Sequence, residues 1–259
     1  MRCKSVLLAL ALELAAGSGI AQEACALPAS VEAPSPRRAD YVNDALPVDY
    51  HALVLSWSPE YCESRRSQRR GANRDAFQCA SANRFEWVVH GLWPQNGRAS
   101  SGRDHPRHCK ASGALPPALL KRHLCMMPSA QLMQNEWQAH GTCGWATPDR
   151  YFADIDKVYS RLRRPTSADM LGAAAAPADA GPNRLAETTS GDIKQAFLKL
   201  NPALPKDSLR VSVASGSRLK EVWVCLDKGL QPMACPRGDG GIDQRQRAFP
   251  LRLPKAWSL

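Results

Sequence analysis

The sequence predicts an α+β fold that disulfide bonds stabilise. Segments with the alternating apolar pattern of strands are interspersed with segments of helical period, and no regular βαβ succession appears. The chain contains nine cysteines and begins with the pattern of an export signal, so disulfide pairing is expected. With 44% hydrophobic and 22% charged residues, the composition is that of a globular protein and excludes a disordered one.

Residues 1–21 have the three parts of a secretory signal peptide. Two basic residues precede an apolar run over residues 6–12, and small residues follow up to Ala21. Cleavage after Ala21 leaves residues 22–259, which we expect to form a single domain of a secreted or periplasmic protein. No stretch is long and apolar enough to span a membrane, so no membrane span is expected.

The chain is basic, with 34 Lys and Arg residues against 24 Asp and Glu residues and a net charge of +10. Signal cleavage removes Arg2, Lys4 and Glu13, and the net charge becomes +9. Excess positive charge suits a polyanionic partner such as a nucleic acid, but it also occurs on proteins without such a partner. The charge therefore leaves both interpretations open.

The first part of the mature chain combines irregular segments with two predicted strands. Residues 22–46, rich in Ala and Pro, predict an extended arm. Apolar residues alternate over residues 50–57 and again over residues 85–90, which predicts strands. Between these strands, the Arg-rich stretch from Cys62 to Cys79 predicts a solvated loop.

The second part of the mature chain holds the predicted helices. Residues 96–114, rich in Gly, Ser, Arg and His, predict a loop. Helical period predicts four helices, over residues 115–124, 129–140, 151–162 and 193–200. Residues 165–184, dominated by Ala, Pro, Asp and Gly, predict a loop insertion within the domain. Two strands, over residues 209–213 and 219–226, follow with a Ser-Gly-Ser turn between them.

A short motif follows the second predicted strand, which runs into His90-Gly91-Leu92-Trp93-Pro94. A histidine where a strand becomes a loop is rigidly held and still reaches solvent, so His90 is a candidate catalytic residue. Trp93 can offer a flat face to a base or a sugar. The alternative is that His90 is structural and that Trp93 belongs to the core.

A second motif lies at the end of the predicted helix over residues 129–140, which Ser129 can cap. It reads Glu136-Trp137-Gln138-Ala139-His140-Gly141-Thr142-Cys143. Glu136 and His140 are four residues apart and share one helical face. In the last turn, the helix dipole is expected to favour the charged form of His140. An ordinary helix pair is the alternative interpretation.

In this order and spacing, the two motifs resemble the two active-site signatures of the ribonuclease T2 family. The first signature, HGLWP, is complete at residues 90–94, and the second, usually HEWxKHGTC, reads NEWQAHGTC at residues 135–143. Residues 56–62 and 219–225 are similar to the first and a late core strand of the family, so the resemblance covers residues 48–236. It implies a central antiparallel sheet flanked by helices.

The resemblance implies a metal-independent endoribonuclease in which the 2′-hydroxyl of single-stranded RNA attacks the neighbouring phosphate. One imidazole must take the hydroxyl proton, and a second must protonate the leaving 5′-oxygen. By resemblance, His140 is the base and His90 is the acid. Glu136 matches the carboxylate that assists at the phosphate, and Trp93 matches the aromatic residue beside the nucleotide. The resemblance further implies RNA as the partner, a monomer, no metal and no cofactor.

Two positions depart from the second signature. Asn135 stands where the family usually has His, and Ala139 stands where it usually has a Lys that stabilises the transition state. The loss of one such electrostatic group costs roughly 10²–10³ in rate. A compensating cation is expected in the Arg-rich stretch after Cys62 or at Lys121 and Arg122. An active enzyme is the favoured interpretation, and an impaired secreted protein that binds RNA or another polyanion is the alternative.

Two other enzyme classes fit the sequence less well. A zinc hydrolase would use His90, His140 and Glu136, but HExxH is absent, and no CxxC motif of a zinc ribbon occurs. A Cys–His protease needs a free thiol, whereas the cysteines of an exported chain are most simply paired.

Spacing alone cannot choose among the pairings of the eight cysteines that remain after signal cleavage. We expect Cys62–Cys79, and we expect Cys225–Cys235 to close a short excursion of the chain. Cys109–Cys143 resembles the family's bridge between the second motif and the loop after the first. Cys25–Cys125 is the pair that remains.

Overall fold

The computed structural model describes residues 25–67, 75–171, 185–214, 218–236 and 249–252. The predicted signal peptide lies outside the described residues. So do residues 68–74 of the Arg-rich stretch and residues 172–184 of the predicted insertion.

Most of the predicted elements are present, with shifted boundaries. The strands are β1 (Tyr50–Trp57), β2 (Trp87–Gln95), β3 (Leu185–Thr188), β4 (Leu209–Ala214), β5 (Arg218–Leu226) and β6 (Phe249–Arg252). The α-helices are α1 (Ser58–Ser67), α2 (Ala76–Cys79), α3 (Pro117–His123), α4 (Ala130–Glu136), α5 (Thr142–Gly144), α6 (Pro148–Arg161) and α7 (Ser190–Leu200). A π-helical turn (Trp137–Gly141) joins α4 to α5, and a 3₁₀ turn covers Asp169–Leu171.

The central sheet is antiparallel and has the strand order β2-β1-β5-β4. Both faces of β1 are covered. Leu53, Leu55 and Trp57 face the main core, where they meet apolar residues of the helices. Val54 packs with Trp223 of β5 and Trp93 of β2 on the opposite face. The predicted α+β fold with a central antiparallel sheet is therefore confirmed.

One sequence prediction about local structure is wrong, and one small sheet was not predicted. The stretch after Cys62 is partly helical, because α1 extends to Ser67 and α2 ends at Cys79. β3 and β6 pair as a separate two-stranded sheet that the sequence analysis did not predict. Both strands are only four residues long, too short for an alternating pattern to be distinct from chance.

The predicted cap of the helix that carries the second motif is present. The Ser129 hydroxyl accepts a hydrogen bond from the Leu132 N–H at 3.3 Å, and so satisfies one of the free donors at the start of α4. This cap fixes where α4 begins, and thereby where its last residue, Glu136, is presented.

The arm before β1 is extended and lies along the π-helical turn. The side chain of Gln138 exchanges two hydrogen bonds of 3.1 Å with the backbone of Arg37. Farther along the arm, Asn43 and Arg107 form an isolated antiparallel bridge through two backbone hydrogen bonds. The arm therefore borders the second motif.

The structure pairs the eight cysteines in four disulfide bonds, which are the pairs named in the sequence analysis: Cys25–Cys125, Cys62–Cys79, Cys109–Cys143 and Cys225–Cys235. The first bond attaches the start of the arm to the segment after α3. Within the part of the chain that the structure describes, every helix is too short or too polar to cross a membrane.

Candidate active site

A β-bulge presents His90. The register of β2 against β1 pairs Val89 with Leu55 and Gly91 with Val54, so His90 is the extra residue between them. A bulge bends a strand and re-aims a side chain. The expectation that His90 lies where the strand ends is wrong, because β2 continues to Gln95. The bulge, rather than a strand end, exposes the imidazole, whose side chain is 28% exposed.

The glycine after His90 leaves room for the other site residues. A Cβ atom on Gly91 would overlap the carboxylate of Glu136 and the indole ring of Trp93. Glycine at this position therefore allows β2 to approach α4 closely enough for Trp93 to donate to Glu136 at 2.6 Å.

The π-helical turn presents His140. Its wider helical path carries the chain from Glu136 to His140 while Trp137 stays in the core. Glu136 Oε2 and His140 Nε2 are 3.9 Å apart, so the two residues share one face as expected. The helical path continues into α5. His140 is therefore not at a free helix terminus, and the expected dipole effect on its charge is wrong.

The structure brings the four predicted site residues together around the carboxylate of Glu136. His90 Nε2 lies 3.5 Å from Glu136 Oε1. The Trp93 ring stacks on the His140 ring, with centroids 5.0 Å apart and an interplanar angle of 22°. The same indole meets His90 edge-on at 5.1 Å. Two imidazoles, one carboxylate and one indole thus form a single cluster.

Glu221 of β5 is a fifth site residue, which the sequence analysis missed. Its Oε1 lies 2.7 Å from His90 Nδ1, and its Oε2 accepts a hydrogen bond from Trp223 Nε1 at 3.2 Å. Glu221 is only 2% exposed. The available signal was an acidic residue inside the apolar pattern over residues 219–226, since a buried carboxylate needs a partner, but this signal does not identify His90 as that partner.

Arg107 is a sixth residue that the sequence analysis missed, and it brings a cation to His140. Its Nη1 lies 3.2 Å from His140 Nε2. A guanidinium only donates, so Nε2 of His140 is the accepting nitrogen in this contact. Nothing in the irregular segment over residues 96–114 singled out this arginine among its neighbours.

The cations that the sequence analysis named for this role are bound elsewhere. Lys121 Nζ donates to the Ala29 carbonyl at 2.8 Å. Arg122 pairs with Asp149 on the exposed surface at 2.7 Å. In the Arg-rich stretch, Arg65 pairs with Asp75, and residues 68–74 lie outside the described part of the chain. The expectation of a cation at Lys121 or Arg122 is therefore wrong.

Ala139 does not face an open site. It is 4% exposed, and its carbonyl accepts the backbone N–H of His108 at 2.9 Å. The segment that carries Arg107 thus covers the position at which the family signature usually has Lys.

The pKa values of the two histidines are shifted in opposite directions. Burial alone lowers the pKa of His90, but the Glu136 charge and the hydrogen bond with Glu221 outweigh it and raise this pKa. Burial and the positive charge of Arg107 lower the pKa of His140 well below 6.5. His90 therefore favours its charged form and His140 its neutral form, which suits one proton donor and one proton acceptor.

A cavity of about 740 Å³ opens beside His90 and Glu221. Its lining includes the cationic side chains of Arg218, Lys220 and Arg252. The buried carboxylate of Glu60 pairs with Arg218 and Arg252 at 3.0 and 3.3 Å. Lys220, which is 54% exposed, gives this side of the site a positive charge in contact with solvent. Among the described residues, no group of three His, Cys, Asp or Glu side chains is placed to hold a metal ion.

Comparison with known proteins identifies the family. The model of the ribonuclease T2 family matches residues 48–235. The chain belongs to the ribonuclease T2 family. The arm before residue 48 therefore precedes the part of the chain that this family shares.

Two relatives agree with this assignment, and a solved structure has a similar fold. A probable ribonuclease of Haemophilus influenzae is 35% identical over 74% of this chain and 63% of its own length, so the match spans less than two thirds of that protein. A ribonuclease of Aeromonas hydrophila is 30% identical over 72% of this chain and 76% of its own length. The fold is similar to that of an RNase-related protein from Calystegia sepium, with a TM-score of 0.56 and 19% identity over 80% of this chain and 97% of that one.

Proposed function

We propose that this protein is a metal-independent endoribonuclease that cleaves single-stranded RNA by transphosphorylation. The observation that carries the proposal is the pair of imidazoles around Glu136, one biased toward the charged form and the other toward the neutral form. Membership of the ribonuclease T2 family supports RNA as the substrate.

His140 is the general base. Because Arg107 donates to Nε2, the neutral imidazole carries its proton on Nδ1 and leaves the Nε2 lone pair toward the site. Within the described part of the chain, Nδ1 is buried and has no hydrogen-bond partner, so no carboxylate stabilises the imidazolium there. Nε2 takes the proton of the 2′-hydroxyl as its oxygen attacks phosphorus.

His90 is the general acid. Its Nδ1 lies against the Glu221 carboxylate, which stabilises the imidazolium and leaves the Nε2 proton to face the site. As the bond from phosphorus to the 5′-oxygen breaks, this proton passes to the leaving oxygen and neutralises it. The products are a 2′,3′-cyclic phosphate on one fragment and a 5′-hydroxyl on the other.

Glu136 and Trp93 organise the two histidines. Glu136 lies near both imidazoles and accepts the Trp93 N–H, so its charge supports the protonated acid. The Trp93 ring stacks on His140 and is the aromatic surface against which we expect the nucleotide to lie.

The products of early turnover test this mechanism. We expect RNA fragments that end in 2′,3′-cyclic phosphate and no cleavage of the matched DNA, because the attacking hydroxyl belongs to the substrate. We also expect a chelator to have no effect on the rate. Mass spectrometry of the fragments, with an oligonucleotide carrying a single 2′-deoxy position as a control, checks all three expectations.

Two results would contradict the mechanism. Predominant 5′-phosphate ends, or cutting at the 2′-deoxy position, would exclude attack by the 2′-hydroxyl. Binding of RNA without turnover would instead favour the alternative of a catalytically impaired RNA-binding protein.

We further infer that the mature chain, residues 22–259, is a single domain that acts as a monomer outside the cytoplasm. The signal-peptide pattern and the four disulfide bonds support a secreted or periplasmic location, because disulfides persist in oxidising compartments. Cell fractionation and light scattering of the purified protein test these inferences.

A further inference from the structure

The reacting phosphate needs a fixed positive group, and the two histidines do not supply one. Glu136 and Glu221 both lie beside His90, so one imidazolium faces two carboxylates. His140 is neutral in its role as base. The phosphorane-like transition state gains negative charge, and such charge needs a fixed positive group to stabilise it.

Arg107 places a permanent cation at the other end of this cluster. Its Nη1 contacts His140 Nε2, the atom that must approach the 2′-hydroxyl, and its side chain is 25% exposed. Its Nε donates to Asp40 of the arm at 3.0 Å. A guanidinium has five N–H donors, so three remain to bind phosphate oxygens.

The backbone around Arg107 is held on both sides. Two hydrogen bonds, of 2.8 and 3.0 Å, pair Arg107 with Asn43 of the arm. The next residue, His108, has a φ of 52° and donates its N–H to the carbonyl of Ala139. A positive φ is uncommon for a residue other than glycine, and such conformations cluster at functional sites. The disulfide bond that follows at Cys109 attaches the segment to Cys143 of α5, the helix that directly follows the π-helical turn.

Asp40 holds the guanidinium while ionised. Burial alone would raise the pKa of this carboxyl, but the hydrogen bond and charge of Arg107 lower it to about 2. Asp40 also lies 3.1 Å from His108 Nε2. The carboxylate therefore remains charged over the pH range in which the two catalytic histidines act.

We propose that Arg107 is a catalytic residue that binds the reacting phosphate, and that Asp40 of the arm is its positioning residue. This proposal rests on the proposed function and completes it. In the free protein, the guanidinium covers Nε2 of His140. When RNA binds, the phosphate oxygens take over the guanidinium donors, and Nε2 becomes free to accept the proton of the 2′-hydroxyl.

Substitutions at Arg107 test the catalytic part of the proposal. We expect R107A to lower kcat by roughly 10²–10³ and R107K to lower it less, because lysine keeps the charge but not the bidentate geometry. Arg103 is the matched control, since its guanidinium and that of Arg107 both lie over the Tyr41 ring, at 5.1 and 5.3 Å from the centroid. Within the described part of the chain, its guanidinium contacts none of the site residues. R103A should retain the wild-type rate.

A titration separates this role from a structural one. The charged or titratable groups that face His140 are Arg107, Glu136, His90, His105 and His108. Loss of the Arg107 charge should raise the pKa of His140 in an NMR titration of the RNA-free protein. The acidic limb of the kcat/KM profile should move to higher pH in R107A, and it should stay in place in R107K.

The positioning role of Asp40 is tested by a double-mutant cycle. D40A should weaken the binding of inorganic phosphate and lower kcat, and adding D40A to R107A should cause little further loss, since Asp40 acts through Arg107. Additive losses would overturn the positioning role.

The experimental outcomes distinguish a failure of this proposal from a failure of the proposed function. If the wild-type protein does not cleave RNA, the proposed function fails, but phosphate binding and the His140 titration still test Arg107. If R107A retains kcat within threefold, or R107A binds inorganic phosphate as wild type does, Arg107 is not the phosphate cation. If R107A does not fold, the same measurements on R107K decide, because an unchanged kcat together with an unchanged phosphate affinity there would contradict phosphate binding through the guanidinium donors.

Discussion

Replacing His140 or His90 with alanine is expected to lower kcat by about 10²–10⁴ while the fold persists, because each variant lacks one of the two proton transfers. Steady-state turnover on RNA measures the loss, and circular dichroism checks the fold. H123A is the matched control, since His123 lies on α3 and stacks on Phe152 at 5.6 Å. It should leave kcat unchanged.

The two variants should differ on a substrate whose leaving group needs no proton. With uridine 3′-(4-nitrophenyl phosphate), the departing nitrophenoxide is stable as an anion, so loss of the acid matters little. H90A should therefore regain most of the wild-type rate, whereas H140A should remain impaired because the 2′-hydroxyl still needs a base. Rescue of H140A instead of H90A would reverse the two assignments.

The second large effect concerns pH. His140 must be neutral, so activity should rise as pH increases through its pKa, which lies below 6.5. His90 must be charged, so activity should fall as pH increases through its pKa, which lies above 6.5. The kcat/KM profile should therefore be bell-shaped, with a broad top that spans pH 6.5.

Glu221→Gln should move the alkaline limb of the kcat/KM profile to lower pH and leave the acidic limb in place. The variant keeps the size of the side chain but removes a charge that favours the imidazolium of His90. Above the alkaline limb, the rate should fall about tenfold for each unit by which the His90 pKa drops. The acidic limb serves as the internal control. If the alkaline limb stays in place, His90 is not the acid, or Glu221 does not set its charge.

The sequence predicted the parts of the site that are local in the chain. The HGLWP motif and the spacing of Glu136 from His140 identified a cluster that the folded chain brings together, since each motif lies on one element or turn. The bulge at His90 and the π-helical turn were not predictable from periodicity, because each depends on one residue beyond the regular pattern.

Glu221 and Arg107 could not be assigned from the sequence for a different reason. Glu221 reaches His90 across 131 positions of the chain, through the register of β5 beside β1. Arg107 reaches His140 from an irregular segment whose path is determined by the arm, by the disulfide at Cys109 and by the unusual backbone of His108. Such contacts depend on tertiary structure, which cannot be read from residue types and their local spacing.

The Cys109–Cys143 bond links the formation of this site to an oxidation step. Cys109 lies two residues after Arg107, and Cys143 lies three residues after His140. The bond therefore crosslinks the segment that carries Arg107 to the helical path that carries His140. Closing a loop of this size, with a separation of 34 residues, removes conformational freedom from the unfolded chain worth about 3–4 kcal/mol. Before oxidation, the proposed base and the proposed cation are linked only through the backbone between them. Maturation of the site is therefore coupled to the redox state of the compartment in which the chain folds.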